Sequence, residues 1–286
     1  MYIANTGIVV TGRLRRIARL QAEIYEHLEN PLDFVEQLKR SHVRADLLTF
    51  LQEPTDQTPR HDFHLEWENI SVLRVTTYDH WWKNQLNDKT RNMIRKSQKS
   101  SVEVRVVSFS DDLVKGIVDI QNESPVRQGK RFPHYGKDFQ TTKNAHVSFL
   151  DRSDFIGAFY EGELIGYAKL VHGRNISSLM QIISKVHHRN RSPTNALIAK
   201  AVAICSERSV PNLHYGVWSK RGLGEFKKRH GFEQVSIPRY YVPLTLRGKL
   251  VLSLGLHHAL SSYVPEAWEE RLHEFRAKWN SHRHGA

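Results

Sequence analysis

Alternating hydrophobic and polar residues predict a group of strands in the middle of the chain. Val102–Phe109 alternates with the period of two that is expected of a half-buried strand. Phe155–Tyr160 and Leu164–Val171 are apolar runs, and the turn Glu161–Glu163 between them is typical of a β-hairpin. Ile176–Ile183 follows after another glycine-containing turn. The pattern predicts three consecutive antiparallel strands in one sheet, with an earlier strand nearby.

Helices are predicted where apolar residues recur every three or four positions. Tyr78–Ser100 has one apolar face and several basic ones, and Ser110–Asp112 offers an N-cap for the helix that follows it. A further helix over Thr194–Glu207 is preceded by Ser192, which we expect to be a strong N-cap, and by a proline at the first helical position. A last helix in this region, Leu223–Arg229, follows a short strand over 213–217 and ends at a glycine.

The hydrophobic pattern of the N-terminal region predicts helices and strands that are shorter than those in the middle of the chain. Arg13–Leu28 has apolar residues at helical spacing and predicts an amphipathic helix that stops at Asn30 and Pro31, and a second short helix is expected over Asp33–Leu38. Strands are expected over Asp46–Leu51 and Ser71–Val75. We therefore interpret residues 1–85 as a small α/β extension.

The C-terminal region begins with two closing strands, Gln234–Ile237 and Tyr240–Leu244. Arg247–Val264 is rich in leucine and carries basic residues, which is typical of an amphipathic segment that lies on an anionic membrane. A helix that caps the core, or a dimer contact, is the alternative for this segment. Glu269–Trp279 predicts a charged terminal helix.

Composition narrows the class of protein. The 286 residues include 42 Lys and Arg against 30 Asp and Glu, a net charge of +12 that implies an anionic partner such as a phosphate-bearing cofactor, a nucleic acid or an acidic membrane. The single cysteine, Cys205, excludes an internal disulfide and favours a reducing compartment, so we expect a cytoplasmic protein. No apolar run approaches the ~18 residues of a membrane span, and no signal peptide is expected.

The 17 histidines do not follow a metal-binding spacing. The pairs His187-His188 and His257-His258 are neighbours in sequence and not separated by four residues, so no metal site is expected. No helix-turn-helix, zinc-finger or RNA-recognition signature accompanies the basic clusters, which disfavours a dedicated nucleic-acid module.

Three passages resemble one family. Thr90–Arg105 resembles the helix–strand entry of the Fem-type transferases, Ser192–Ile198 resembles their SP-x-x-LL helix start, and Leu223–Phe232 resembles their GL-x-x-FK-x-x-FG element. The order of predicted elements from Val102 to Leu244 is similar to that of the Gcn5-related N-acetyltransferases (GNAT), the superfamily that contains the Fem-type branch.

The resemblance implies an α/β fold with a mixed, mostly antiparallel central sheet flanked by helices. It implies a GNAT-like acyltransferase domain over residues 86–245 and a C-terminal helical extension over 246–286. Fem-type proteins often contain two such domains, so residues 1–85 are interpreted as a degenerate, shrunken first half.

The family's activity is implied only by this resemblance. Its members transfer an acyl group from a thioester or an aminoacyl ester to a primary amine, so the expected donor is an acyl-coenzyme A such as acetyl-CoA, or an aminoacyl-tRNA, without a metal. The expected acceptor is a phosphorylated small molecule or a lipid-linked precursor of peptidoglycan or surface polysaccharide. The tRNA and the inner face of the membrane are further expected partners, and the oligomeric state stays open. A non-catalytic binding protein on the same scaffold is the alternative.

The basic loop before the predicted helix at Thr194 is the candidate cofactor site. Backbone N–H groups at the start of a helix favour an anion, and two arginines would add charge-assisted hydrogen bonds to phosphate. In GNAT enzymes this position holds the cofactor pyrophosphate, although larger residues stand here at two of the small positions and Pro193 lacks an N–H group. The candidate cofactor-binding residues are Arg189, Asn190, Arg191, Ser192, Thr194 and Asn195.

The candidate catalytic residues are Lys227, Tyr215 and His214. Lys227 follows Phe226 in the family-like element, and a lysine at a helix start could stabilise a developing oxyanion. Tyr215 lies where relatives read Asp-Phe-Gly, and His214 could carry a proton near neutral pH. Ile176–Ile183 contains no carboxylate that could act as a base.

Candidate substrate-binding residues lie in a basic loop and on the central strands. The loop 125–135, which would lie over the acceptor side, contains two arginines that could bind phosphate or carboxylate. The complete candidate set is Arg127, Arg131, Tyr135, Lys169 and Gln181.

Overall fold

The computed structural model describes residues 1–3, 6–23, 25–127, 129–219 and 222–258. These residues form two compact units. The first unit combines residues 1–70 with 234–258, and the second contains residues 71–233. The prediction of a separate helix over Glu269–Trp279 lies outside the described residues. The functional division of the chain at residues 85 and 245 stays a prediction.

The first unit is a sheet with helices. Its strands, in spatial order, are β1 (Tyr2–Ile3), β2 (Thr6–Thr11), β3 (Ile17–Leu20), β4 (Leu47–Leu51), β13 (Glu233–Pro243) and the N-terminal part of β5 (His64–Arg74). The two closing strands predicted over 234–244 are one continuous strand, β13, which pairs antiparallel with β4.

The prediction of an amphipathic helix over Arg13–Leu28 is wrong. Ile17–Leu20 is strand β3, which pairs antiparallel with β2 and parallel with β4. Ala18 and Leu20 are buried on one face, whereas Leu14, which a helix would have buried, is exposed. Because pairing on two sides satisfies the backbone of β3, tertiary context overrides the helical spacing here.

The short helix expected over Asp33–Leu38 is confirmed as α1 (Pro31–Arg40). The side chain of Asn30 accepts a hydrogen bond from the N–H of Asp33, and Pro31 occupies the first turn. Asn30 and Pro31 therefore begin this helix and do not end the preceding one, because a capping side chain and a proline both suit the N-terminus of a helix. The other helix of the first unit is α8 (Leu246–Ser253).

The second unit contains the strands β6 (Glu103–Val107), β9 (Ser153–Tyr160), β10 (Glu163–His172), β11 (Ser177–Ser184) and β12 (Asn212–Val217), in the spatial order β12-β11-β10-β9-β6. A separate two-stranded ribbon is formed by β7 (Val126–Arg127) and β8 (Lys130–Arg131). The β9–β10 hairpin is confirmed, and its turn residues Glu161 and Gly162 both have positive φ, as a tight hairpin of this kind requires.

Helices flank this sheet on both faces. They are α2 (Tyr78–His80), α3 (Asp88–Lys99), α4 (Asp111–Asn122), α5 (Phe139–His146), α6 (Pro193–Glu207) and α7 (Gly222–Arg229), and the single helix predicted over 78–100 is divided by a π-helical turn at Trp81–Gln85. Leu197, Ile198 and Val202 of α6 join one core, and Leu113, Ile117 and Ile120 of α4 join another. Within the described part of the chain, no helix combines the length and the apolar character that crossing a bilayer requires.

Candidate active site

The sheet of the second unit opens between β11 and β12. β10 and β11 are paired antiparallel, and their paired stretch extends from the pair Gly166 and Ser184 to the pair His172 and Ser177. The parallel pairing of β11 with β12 contains only the pairs Ser177–Leu213 and Ser178–His214, at the start of each strand. Because β11 continues to Ser184 and β12 to Val217, the later parts of the strands separate. Unpaired strand edges offer backbone N–H and C=O groups that an extended ligand can bind.

A buried carboxylate holds the chain where it leaves β11. Glu123, directly after α4, accepts hydrogen bonds from the N–H groups of Val186 (2.5 Å) and His187 (3.0 Å). Burial raises the pKa of Glu123, but the hydrogen bonds from His187 and Val186 outweigh that effect, and the pKa lies below its ordinary value. The carboxylate is therefore charged at neutral pH and fixes the start of the basic loop that leads into α6.

Arg127, a candidate substrate-binding residue, also supports this loop. Its guanidinium donates hydrogen bonds to the carbonyl oxygens of Ser184 (2.7 Å) and Ile120 (2.6 Å). It also lies 3.4 Å from the Glu123 carboxylate and over the ring of Phe132. Because these groups occupy most of its donors, the structure gives Arg127 a part in holding the loop, and contact with a substrate stays a prediction.

Ser192 occupies the N-cap position of α6 as predicted, with Pro193 directly after it, but the expected capping by its side chain is not formed. Ser192 has a left-handed backbone conformation, with φ of 58°, and its side chain makes no capping hydrogen bond. Its Oγ instead lies 3.9 Å from the sulfur of Met93. Pro193 has no N–H group, and the N–H groups of Asn195 and Ala196 donate to the carbonyl of Ser192, so the N–H of Thr194 is the donor that this turn leaves for an anion.

Two further candidate cofactor residues lie in the first turn of α6. The hydroxyl of Thr194 is 2.8 Å from that of Ser184, so it joins the helix to the end of β11. Asn195 is half-buried, and its N–H donates to the carbonyl of Ser192 (3.2 Å).

A cleft of about 350 Å³ lies next to this turn. Arg191 and Asn190 line it together with Lys96 and residues 100, 101 and 160. The guanidinium of Arg191 stacks over the ring of Tyr160 at 3.9 Å, which directs it along the cleft wall. Arg189 is exposed and does not line the cleft. Two cations with several hydroxyl and amide groups suit a phosphate ligand.

Sequence analysis did not identify four of the six residues that line the cleft: Lys96, Ser100, Ser101 and Tyr160. Lys96 was part of the basic run in the Fem-like passage. That passage indicated positive charge, but the sequence did not show that the end of α3 faces the loop before α6.

Lys227 is buried, with 2% of its surface exposed. Its ammonium donates to the carbonyl of Val217 (2.7 Å) and the hydroxyl of Ser71 (3.0 Å), and it lies 4.7 Å from the ring centre of Tyr215. Burial lowers the pKa of Lys227 to about 8. Lys227 was expected at a helix start, but it lies in the last turn of α7.

The buried face of α7 carries Lys227 and excludes Leu223, which lies one helical turn before it. Leu223 is exposed, and the buried residue on the same face is Gly224, three positions before the lysine. A Cβ atom at Gly224 would lie 1.7 Å from the carbonyl oxygen of Ser219, so only glycine permits this close approach of α7. Lys228, the next residue in the basic run, is exposed.

Tyr215 and His214 lie on β12 where it begins to separate from β11. His214 is the last residue of β12 that pairs with β11, and its Nδ1 is 3.3 Å from the hydroxyl of Ser178. Burial raises the pKa of Tyr215 to about 12, so its hydroxyl keeps its proton at neutral pH. A protonated phenol can donate a proton but cannot act as a base.

Lys169 and Gln181 belong to a buried polar network on the opposite face of the sheet from α6. The ammonium of Lys169 donates to the carbonyls of His146 (2.9 Å) and Ser148. Gln181 Oε1 lies 2.8 Å from the hydroxyl of Tyr167 and 2.7 Å from Nε2 of His146. Burial lowers the pKa of Lys169 to about 8. The network joins β10 and β11 to α5.

The two remaining candidate substrate-binding residues are exposed. Arg131 lies in the β7–β8 ribbon, and Tyr135 follows it with 46% of its surface exposed. The structure does not bring either residue into the cleft. Their contact with a substrate stays a prediction.

Comparison with known proteins shows the fold. No protein-family model matches the sequence, and no curated protein sequence matches it. The chain is similar to the crystal structure of FemX, with a TM-score of 0.61, 10% identity, and coverage of 86% of this chain and 85% of that one.

Two other similar structures carry the name of a different enzyme, lysylphosphatidylglycerol synthetase, or its abbreviation. The C-terminal domain (DUF2156) of a protein assigned as a lysylphosphatidylglycerol synthetase from Agrobacterium fabrum has a TM-score of 0.57, and L-PGS from Bacillus licheniformis has one of 0.55. Each is 13% identical to this chain and covers 88% of it, over 86% of its own length. The predicted GNAT-like α/β fold, with a mostly antiparallel sheet flanked by helices, is thus confirmed.

The two buried lysines predict a specific dependence of stability on pH. Because burial lowers the pKa of each from 10.5 to about 8, the unfolded chain binds more protons than the folded chain between these values. The quantity to measure is the free energy of unfolding of the wild type minus that of Lys169→Met or Lys227→Met. This difference should rise as the pH increases from about 8 to about 10.5. Below that window the difference should be constant. Urea unfolding at a series of pH values measures it.

The exposed Lys228 supplies the control for this experiment. Lys228→Met removes an exposed lysine, so it should change the pH dependence of the free energy of unfolding less than Lys169→Met or Lys227→Met does. If Lys169→Met and Lys227→Met give differences from the wild type that do not change with pH, the two ammonium groups are not desolvated as the structure indicates.

Proposed function

We propose that the protein is an acyltransferase that moves an acyl or aminoacyl group from a phosphate-bearing donor to a primary amine. The observation that carries this proposal is the cleft lined by Lys96 and Arg191, at the point where the chain passes from the open end of β11 to the uncapped start of α6. The cleft would hold phosphate by charge, and the opening between the strands would accept the extended part of the donor.

The proposed donor is an acyl-coenzyme A or an aminoacyl-tRNA, because both join a transferable acyl group to phosphates. The similarity to FemX and to the two lysylphosphatidylglycerol synthetase structures supports an aminoacyl donor and a Fem-type assignment. The net charge of +12 also suits a large polyanion such as tRNA.

In the proposed reaction, the amine nitrogen of the acceptor attacks the acyl carbon. A C–N bond forms, the C–S or C–O bond to the donor breaks, the ammonium loses a proton and the leaving group gains one. Tyr215 can supply the proton to the leaving group, because it is protonated at neutral pH and lies where β12 leaves β11. Lys227 lies under the Tyr215 ring and provides positive charge there. His214 is the neighbouring candidate for proton transfer.

The proposed acceptor is a phosphorylated or lipid-linked precursor of the cell envelope, used in the cytoplasm at the inner face of the membrane. Leu246 and Leu250 of α8, and Leu254 directly after it, are spaced four residues apart and expose 83%, 59% and 59% of their surfaces. Arg247 and Lys249 are exposed on the same helix. Exposed leucines flanked by cations suit an anionic lipid surface. The names of two similar structures, which refer to an aminoacylated phospholipid, support a lipid-linked acceptor.

Donor binding tests the proposed cleft. Arg191→Met and Lys96→Met should each weaken binding of the preferred donor about tenfold, since a charge-assisted hydrogen bond contributes about 1.5–3 kcal/mol and 1.4 kcal/mol is tenfold in affinity. The measurement is a titration of the purified protein with acetyl-CoA and, separately, with an aminoacyl-tRNA. The control is Arg174→Met, which removes an exposed cation from the turn before β11.

Transfer of a labelled acyl group to an amine, measured with the same donors, separates the enzyme from a binding protein. A donor that binds in the cleft but is never transferred would support the non-catalytic alternative. Equal affinities for the wild type, Arg191→Met and Lys96→Met would contradict the donor site itself.

Vesicle binding tests the leucine surface of α8. Replacing Leu246, Leu250 and Leu254 together by serine should reduce co-sedimentation with phosphatidylglycerol-containing vesicles at least about tenfold, because each leucine that enters the interface contributes up to ~1.5–3 kcal/mol. Leu32→Ser is the matched control, because Leu32 is an equally exposed leucine (62%) on helix α1. If the triple variant binds vesicles as the wild type does, the exposed leucines do not contact lipid.

A further inference from the structure

Three histidines surround one carboxylate oxygen in the first unit. Nε2 of His257 lies 2.6 Å, Nε2 of His258 lies 3.1 Å and Nε2 of His64 lies 3.5 Å from Oε1 of Glu66. The ligand atoms of His64, Glu66 and His257 all lie within 4.8 Å of one another, whereas His258 does not belong to this group. The sequence separation of 191 residues between Glu66 and His257 explains why spacing did not reveal the cluster.

Hydrogen bonding accounts for only part of this arrangement. A carboxylate oxygen has two lone pairs, which suit the contacts with His257 at 2.6 Å and His258 at 3.1 Å, whereas His64 at 3.5 Å lies beyond ordinary hydrogen-bond distance. Three imidazole nitrogens and one carboxylate oxygen are, however, a suitable ligand set for a tetrahedral zinc ion. With metal–ligand distances of ~2.0–2.2 Å, neighbouring ligands of such an ion are roughly 3.3–3.5 Å apart. The separation of His64 from Glu66 (3.5 Å) matches this value and that of His258 (3.1 Å) is slightly shorter, whereas His257 and Glu66 (2.6 Å) would have to move apart by roughly 0.7 Å when the ion binds.

The fold brings the ligands together from two parts of the chain. His64 and Glu66 are two residues apart on β5, so both side chains extend from the same face of the strand. The segment after α8 supplies the other two, and Arg15 holds that segment by donating to the carbonyls of Leu256 and His258. The side chain of His257 is buried, with 2% of its surface exposed.

Packing helps to orient the buried ring of His257. It packs against Tyr241, with ring centres 4.6 Å apart, and against His64 at 5.7 Å. Its Nδ1 has no hydrogen-bond partner among the described residues, so the contact of Nε2 with Glu66 is the polar contact that orients it.

We propose that His64, Glu66 and His257 bind one zinc ion, and that the partly exposed ring of His258 turns inward from its position beside Glu66 to supply the fourth ligand. The ion would tie the segment after α8 to β5. None of the four lines the cleft, so the proposal does not depend on the proposed function and assigns the metal a structural role. The side chains of His64 and His258 are partly exposed, so the ion can enter from solvent.

The test uses the full chain, stripped of metal with a chelator and titrated with Zn²⁺ against a chromophoric competitor. The wild type should bind one equivalent. His64→Gln and His258→Gln should each lower the affinity by at least about 100-fold. A loss of up to about 100-fold is seen when a residue that only hydrogen-bonds to a metal ligand is changed, and the loss of a ligand itself should be at least as large. Both residues are partly exposed, so these variants should fold, and Glu66→Gln should have the same effect on affinity. With Co²⁺ in place of zinc, the wild type should show the intense visible absorption of a tetrahedral site and the variants should not.

Two controls distinguish this site from adventitious binding by other histidines. His42→Gln removes an exposed histidine of the same unit and should leave the affinity unchanged. The variant H282Q/H284Q removes a histidine pair near the C-terminus and should also retain one equivalent. The proposal is overturned if the wild type binds no stoichiometric zinc, or if His64→Gln, His258→Gln and Glu66→Gln bind it as the wild type does.

Discussion

The incomplete pairing of β11 with β12 is the constraint on which the candidate site depends. Two parallel pairs, at Ser177 and Ser178, join the strands, and beyond them the sheet opens. An open sheet leaves backbone polar groups without strand partners, and such groups must be satisfied by solvent or by a ligand. The opening therefore needs rigid support around it. Glu123 and Arg127 provide that support on one side, because they hold the residues that follow β11. Lys227 provides it on the other side, because it binds the carbonyl of Val217 at the end of β12.

Positive charge beside the opening then determines which ligands suit it. The left-handed conformation of Ser192 leaves the start of α6 without a side-chain cap, and Arg191 and Lys96 place two cations beside it. The same structure buries two lysines, Lys169 and Lys227, against carbonyl oxygens. Buried ammonium groups are costly, and both of these lie beside the strands that would receive the donor and acceptor. The arrangement combines two cations at the cleft with two buried ammonium groups whose pKa values are lowered by burial.

Local signals in the sequence predicted much of this architecture. The hairpin at Glu161 and Gly162 was predictable because its turn residues directly follow and precede apolar runs, and α1 was predictable from its spacing. The helix expected over Arg13–Leu28 was not formed, because pairing with β2 and β4 determines the structure of that segment. The positions of Arg191 and Asn190 could be anticipated from the helix start that follows them.

The remaining parts of the site depend on contacts between distant residues. Glu123 meets Val186 and His187 across 63 and 64 positions, and nothing in its local sequence marks it. Lys227 stands in a run of basic residues whose other members are exposed, so only the packing of α7 on Ser219 shows that it is buried. Spacing in the sequence can identify a residue that suits a role, but burial and partners are decided by the fold.

Hydrogen exchange of the full chain, with and without donor, tests the central claim most directly. Coenzyme A and an aminoacyl-tRNA would be added separately at saturating concentration, and exchange would be followed by mass spectrometry. The account predicts that the donor that binds slows exchange in residues 186–196 and in the second half of β11, residues 179–184, and leaves the strand pair β2–β3 of the first unit unchanged. Binding without protection of 186–196, or protection confined to other parts of the chain, would contradict the assignment of the opening between β11 and β12 as the donor site.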